Sequence, residues 1–181
     1  MMEEGDVLFT EETILERVGE LARRISSDYS RVDDLLLVGV LRGCFIFLAD
    51  LSRRLTIPRS VDFVSVAAYG NTTEASGAVR LIMDLRTGIR GRHVLIVEDI
   101  VDTGDTLDYL LSLLRPRGPA SLKTCALLRK PARLRREVRI DYLGFDIPDV
   151  WVVGYGLDFR DRCRALPCIR ALPDSAAEGV P

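Results

Sequence analysis

Near the start of the chain, apolar residues recur at helical spacing: Ile14, Val18, Leu21, Ala22 and Ile25 share one face. The first element is therefore an amphipathic helix, with Thr10 placed to cap it. Leu35 to Val40 is a short continuous apolar run, the pattern of a strand buried on both faces. It breaks at Leu41-Arg42-Gly43 and resumes at helical spacing through Phe45, Leu48, Ala49 and Leu55. Strand, short turn and helix open a βαβ unit. Val61 to Ala68 reads as a second strand, and Val79 to Met83 as its return partner. Between them, Tyr69 to Gly77 is polar and aperiodic and predicts a mobile loop. His93 to Val97 is another buried strand, followed by a turn and a helix carrying Leu107, Leu110, Leu111 and Leu114, which Pro116 ends. Ser121 to Leu128, Val138 to Leu143 and Val150 to Val153 predict three more strands, the last two separated by Phe145 to Pro148. Strands alternating with helices give an α/β fold with a mostly parallel central sheet.

Length and composition narrow this picture without changing it. With 181 residues, the chain accommodates one domain, set at residues 1–173 with a frayed tail at 174–181. No internal repeat or linker interrupts it. Hydrophobic residues make up 48% and charged residues 29%, a globular balance, and the net charge of -2 offers no global pull toward nucleic acid or an acidic membrane. Anion binding must then be local. Cys44, Cys125, Cys163 and Cys168 are scattered, without zinc-ligand spacing, and read as reduced thiols. The acidic start lacks the regions of a signal peptide, and no apolar run reaches membrane-spanning length, so a cytoplasmic protein is expected.

The chemistry concentrates in Val94 to Leu107, with Glu98-Asp99 at a strand end and Asp102-Thr103-Gly104-Asp105-Thr106 after it. In an open parallel sheet ligands bind beyond the carboxyl ends of strands, where this turn lies. Asp102 to Thr106 enter a helix N-terminus, whose free N–H groups and dipole favour a phosphate monoester. Gly104 permits close backbone approach, and the Thr103 and Thr106 hydroxyls add donors. No lysine follows the glycine, so this is not a P-loop. Glu98 and Asp99 are acceptor-only and would repel a phosphate. A vicinal diol or a hydrated magnesium ion suits them instead. Phosphate donors and diol acceptors about one sugar apart describe a ribose 5-phosphate site. A lone Asp-Thr-Gly-x-Thr also caps helices in unrelated α/β proteins; the whole run after a buried strand is far more selective.

This run resembles the phosphoribosyl-pyrophosphate motif of type I phosphoribosyltransferases, closest to the hypoxanthine-guanine branch, and the likeness extends from about Val7 to Leu172. The resemblance implies that fold, with a small hood and a mobile active-site loop. It implies that Glu98 and Asp99 hold the ribose hydroxyls, and that Asp102 lies near purine N7 as general base or as stabiliser of the charged transition state. Leu41-Arg42-Gly43 is similar to the pyrophosphate loop, usually Leu-Lys-Gly, whose first peptide bond can be cis; arginine here keeps the charge and alters its geometry. Tyr69 to Gly77 is similar to the catalytic lid, with Ala68 in place of a serine before Tyr69.

Lys130, before Pro131, resembles the donor to the purine 6-oxo group, although by itself it suits a solvated strand end. Trp151 stands where an aromatic residue stacks on the purine, with core packing as the rival reading, and Val152 offers its backbone to the base. Gly154-Tyr155-Gly156-Leu157-Asp158 is similar to the family signature in which the aspartate ligates a second magnesium ion on the pyrophosphate. Arg164 matches its pyrophosphate-binding arginine, while Arg160 and Arg162 read as solvated charges. His93, at the start of a strand, is structural.

The implied reaction joins hypoxanthine, and guanine, to phosphoribosyl pyrophosphate with magnesium. The partners are then small molecules, with no nucleic acid and no membrane, and the family's dimers and tetramers imply a homo-oligomer. Alternatives are a xanthine-preferring enzyme, a non-catalytic RNA-binding regulator of the same fold, and a generic sugar-phosphate module.

Overall fold

The computed structural model describes residues 5–69 and 78–173. Five strands and three helices fall where hydrophobic periodicity places them. The elements are β1 (Asp6–Phe9), α1 (Glu11–Asp28), β2 (Leu35–Leu41), α2 (Phe45–Arg54), β3 (Arg59–Tyr69), β4 (Ala78–Met83), β5 (His93–Val101), α3 (Asp105–Leu114), β6 (Ser121–Arg129), β7 (Tyr142–Asp146), β8 (Val152–Val153) and β9 (Ile169–Ala171). A six-stranded sheet has the order β4-β3-β2-β5-β6-β7, in which only the β3–β4 pair is antiparallel. A smaller antiparallel sheet, β1-β9-β8, forms the hood.

Helices cover both faces of the large sheet because its central strands are apolar on both. Leu35, Leu37, Leu95 and Val97 pack under α1 and α2, while Leu36, Val38, Val94 and Ile96 pack under α3. Alternation along each strand sends neighbours to opposite layers. Thr10 caps α1 as its periodicity predicts, accepting from the Thr13 N–H at 3.3 Å. α3 stops at Leu114 and passes into a single 3-10 turn containing Pro116.

Three expectations need correction. The buried face of α2 is Phe47, Leu48 and Leu51, with Cys44 and Leu55 flanking it, whereas Phe45 is 45% exposed and Ala49 is exposed. Packing on β2 sets the phase of this helix. The strand expected over Val138 to Leu143 lies at Tyr142–Asp146, so Phe145 and Asp146 belong to β7. Val138 and Ile140 pack instead against the α3 layer, and the Thr124 hydroxyl, donating to the Arg139 carbonyl, holds the chain on its way into β7. The Val150 to Val153 segment contributes only β8, and to the hood rather than to the main sheet. β1 and β9 lie outside the sequence expectations. The loop 70–77 and the tail 174–181 lie outside the described residues.

Candidate active site

From β2 the chain runs outward to β3 and β4, then returns to β5 on the other side of β2. Connections leaving adjacent strands in opposite directions open a crevice at their carboxyl ends. Here that crevice receives the turn after β2, Leu41 to Gly43, and the turn after β5, Asp102 to Gly104. It has two lobes of about 380 and 480 Å³ that share Leu41, Arg42, Gly43, Asp99, Asp102 and Asp158. Glu98, Thr103, Gly104 and Thr106 line the larger lobe; Lys130, Trp151, Val152 and Arg164 line the other. Residues far apart in sequence thus meet in one cleft. Asp105 lines neither lobe; its carboxylate accepts from the Thr103 hydroxyl at 2.9 Å and from Arg136 at 3.3 Å. Tyr69 ends β3, and the loop that would follow it as a lid is outside the described residues. His93 sits at the opposite, amino end of the sheet, bonded to Ser121.

The turn from Asp102 to Gly104 is built by β5 running into α3, with Gly104 as the helix N-cap. The Thr103 carbonyl accepts the Arg135 and Arg136 N–H groups, which ties the turn to the segment after β6. Upstream, Glu98 is 6% exposed, and its Oε2 is buried without a hydrogen-bond partner. Burial pushes the Glu98 carboxyl well above the usual carboxylate range, and Asp99 adds to the shift. Burial also raises Asp99 to about 6, against the pull of its own and the Ile100 N–H groups and of Arg164, with Asp158 adding to the rise. Glu98, with one oxygen that no internal group donates to, is disposed to accept from a hydroxyl or from a cation.

On the other wall the turns approach closely. A Cβ on Gly43 would stand 1.7 Å from Asp99 Oδ2, so only glycine lets the β2 turn reach that carboxylate. The Leu41–Arg42 peptide bond is cis. Arg42 donates to Asp161 at 3.2 Å; Arg164 reaches Asp158 at 2.7 Å, Asp161 at 3.1 Å and the Gly156 carbonyl at 2.8 Å. Asp158 also accepts the Asp161 N–H at 2.7 Å.

In the remaining corner Lys130 is only 6% exposed, and its ammonium lies 3.5 Å from both Asp102 and Asp149. Arg133 donates to Asp102 at 2.5 Å and lies 3.5 Å from Asp149. Two cations and two carboxylates therefore balance one another beside Trp151, which is 40% exposed and meets Phe159 edge to face.

The phosphoribosyl transferase domain family matches residues 6–160. Hypoxanthine-guanine phosphoribosyltransferase of Dictyostelium discoideum is 49% identical over 172 residues, covering 93% of this chain and 96% of its own. The chain belongs to the hypoxanthine-guanine phosphoribosyltransferase family. The same enzyme name attaches to a Mycobacterium tuberculosis protein 47% identical over 171 residues, covering 92% of this chain and 85% of that one. Hypoxanthine phosphoribosyltransferase from Trypanosoma cruzi, solved with the product IMP, superposes with a TM-score of 0.88 at 44% identity, covering 97% of this chain and 98% of that one. The fold is the type I phosphoribosyltransferase fold.

Within this phosphoribosyltransferase, three ion-pair partners of the cleft residues escape sequence reasoning. Arg133 and Asp149 partner Asp102 and Lys130, and Asp161 joins the two arginines of the opposite wall. Arg133 stands in an arginine-rich stretch that reads as a solvated loop, and Asp161 sits between Arg160 and Arg162. No local pattern distinguishes any of them.

Proposed function

We propose that this protein transfers the 5-phosphoribosyl group of phosphoribosyl pyrophosphate to N9 of hypoxanthine, and of guanine, giving IMP or GMP and pyrophosphate. The observation that carries this reading is the buried Lys130 beside Trp151, in the same cleft as the β5–α3 phosphate turn. An ammonium is donor-only, so it pairs with a 6-oxo group and opposes the 6-amino group of adenine. Its charge is already balanced by Asp102 and Asp149, so a neutral base can bind without leaving it unpaired.

In this reading the α3 N-terminus with Thr103 and Thr106 holds the 5-phosphate, and Glu98 and Asp99 accept from the ribose hydroxyls. Arg42 and Arg164 exchange carboxylate partners for the pyrophosphate. The C1–pyrophosphate bond breaks as the N9–C1 bond forms. Asp102 takes the purine proton or offsets the developing positive charge, and the arginines receive the negative charge of the leaving group. Trp151 stacks on the base, Val152 presents its backbone to it, and the Tyr69 loop excludes water.

Magnesium, when bound, neutralises pyrophosphate charge. The residues suit it: Glu98 Oε2 has no internal donor, and a nearby cation would offset the burial that opposes ionisation of Glu98 and Asp99. Among the described residues no three His, Cys, Asp or Glu side chains form a cage. That suits an ion that keeps its waters and reaches the protein through substrate phosphates. Asp158 would hold the ion on the pyrophosphate, and Glu98 with Asp99 the ion on the ribose side. We further propose a cytoplasmic homo-oligomer, dimer or tetramer.

Ligand-dependent melting tests the purine assignment. IMP and GMP at 100 times their Kd stabilise by about 2.7 kcal/mol, whereas AMP at equal concentration leaves the melting temperature unchanged. Equal stabilisation by AMP would remove the role given to Lys130.

A further inference from the structure

Asp50 is a buried acid that the proposed chemistry does not use. It lies on α2, 8% exposed, and its Oδ2 accepts the Tyr155 hydroxyl at 2.6 Å. Its other oxygen pairs with Arg53 and lies 3.5 Å from Arg54. Burial and the Asp50 carboxylate raise the Tyr155 pKa, which keeps the phenol protonated as donor.

Tyr155 itself occupies an unusual backbone. Its φ is 51°, between Gly154 at 96° and Gly156 at 103°, so three consecutive residues are left-handed. A bulky L-residue stays in that region only where its surroundings hold it. The Tyr155 N–H donates to the Leu166 carbonyl and the Gly156 N–H to the Arg164 carbonyl, which leaves the ring and hydroxyl to fix the loop against α2. That loop faces the β2 turn closely: a Cβ on Gly156 would stand 2.0 Å from the Gly43 carbonyl oxygen. Gly156 also accepts from Arg164, and Asp158 follows two residues on. α2, for its part, begins directly after the Leu41 to Gly43 turn. The Asp50–Tyr155 bond therefore joins the two segments that carry Arg42 on one side and Asp158 and Arg164 on the other.

We infer that Asp50 is a positioning residue that, through Tyr155, sets the spacing of the two pyrophosphate-side segments without touching substrate. The inference rests on the function proposed above.

Calorimetric titration of the full chain with magnesium pyrophosphate, and separately with IMP, tests it. Tyr155→Phe removes only the hydroxyl, and is expected to raise the Kd for magnesium pyrophosphate about tenfold while the Kd for IMP stays within about twofold. Asp50→Asn keeps an acceptor oxygen for the phenol and loses the ion pairs; its pyrophosphate affinity is expected to stay within about twofold of wild type. A Tyr155→Phe protein that binds magnesium pyrophosphate as tightly as wild type overturns the inference. Equal weakening of both ligands does so too, because it marks a general loss of structure. Failure of the wild type to bind either ligand would instead remove the proposed function.

Discussion

Lys130 sits in a corner where an isolated ammonium would be costly, and two carboxylates 3.5 Å away make its burial tolerable. Arg133 completes the square by holding Asp102 from the other side. The proposed function gives the two ends of the square different tasks: Lys130 selects the base, and Asp102 meets the changing charge of the ring. Asp102→Asn keeps the shape and removes the charge, and turnover should fall by about 10² to 10⁴ with far-ultraviolet dichroism unchanged; undiminished turnover would contradict its role. Lys130→Met should weaken IMP binding by about 10- to 100-fold, the equivalent of a charged hydrogen bond, as read by calorimetry. At this scale the sequence is readable where residues are contiguous. Glu98 to Thr106 announces itself because strand end, acids and helix start follow in order. Arg133 and Asp149 do not, because their partners lie in other segments and only folding brings the four together.

Elements are legible where the hydrophobic period is long and clean, as in α1 and β2, and less so where a partner decides. α2 turns its face to suit β2, so Phe45 is outside and Phe47 inside. β7 is placed by parallel pairing from Cys125–Tyr142 to Arg129–Asp146 rather than by the alternation at Val138 and Ile140. β1 and β9 are three or four residues long and exist through each other, which no local pattern reports. Asp62 on β3 shows an element fixed by one side chain, since its carboxylate accepts N–H groups from Phe63, Arg86 and Thr87 at 2.8 to 3.0 Å. Burial opposes its ionisation, yet these bonds hold the carboxyl below its ordinary 3.8. A lowered pKa contributes stability that is complete above the ordinary value and is lost as pH falls through the folded one. Asp62→Ala should therefore cost about 2 kcal/mol near neutrality by denaturant unfolding, with the difference from wild type shrinking below about pH 4. A difference that grows on acidification would contradict this account.

Across the whole molecule a net charge of -2 says little about ligands, because the charges that matter are sorted by the fold rather than by composition. The main sheet brings the β2 and β5 turns to its centre, and the hood adds Val152 of β8 and Trp151 just before it. In the proposed function acids meet the sugar, arginines meet the leaving group, and Lys130 meets the base. The central claim is that this geometry serves 6-oxopurine transfer, and one assay reaches it directly: hypoxanthine, guanine, xanthine and adenine offered together with phosphoribosyl pyrophosphate and magnesium, each base and the released pyrophosphate followed over time. Hypoxanthine and guanine should be consumed with one pyrophosphate released per nucleotide formed, and adenine should persist. Consumption of adenine at a comparable rate, or no consumption of any base, would contradict it; a preference for xanthine over both would contradict the proposed choice of hypoxanthine and guanine.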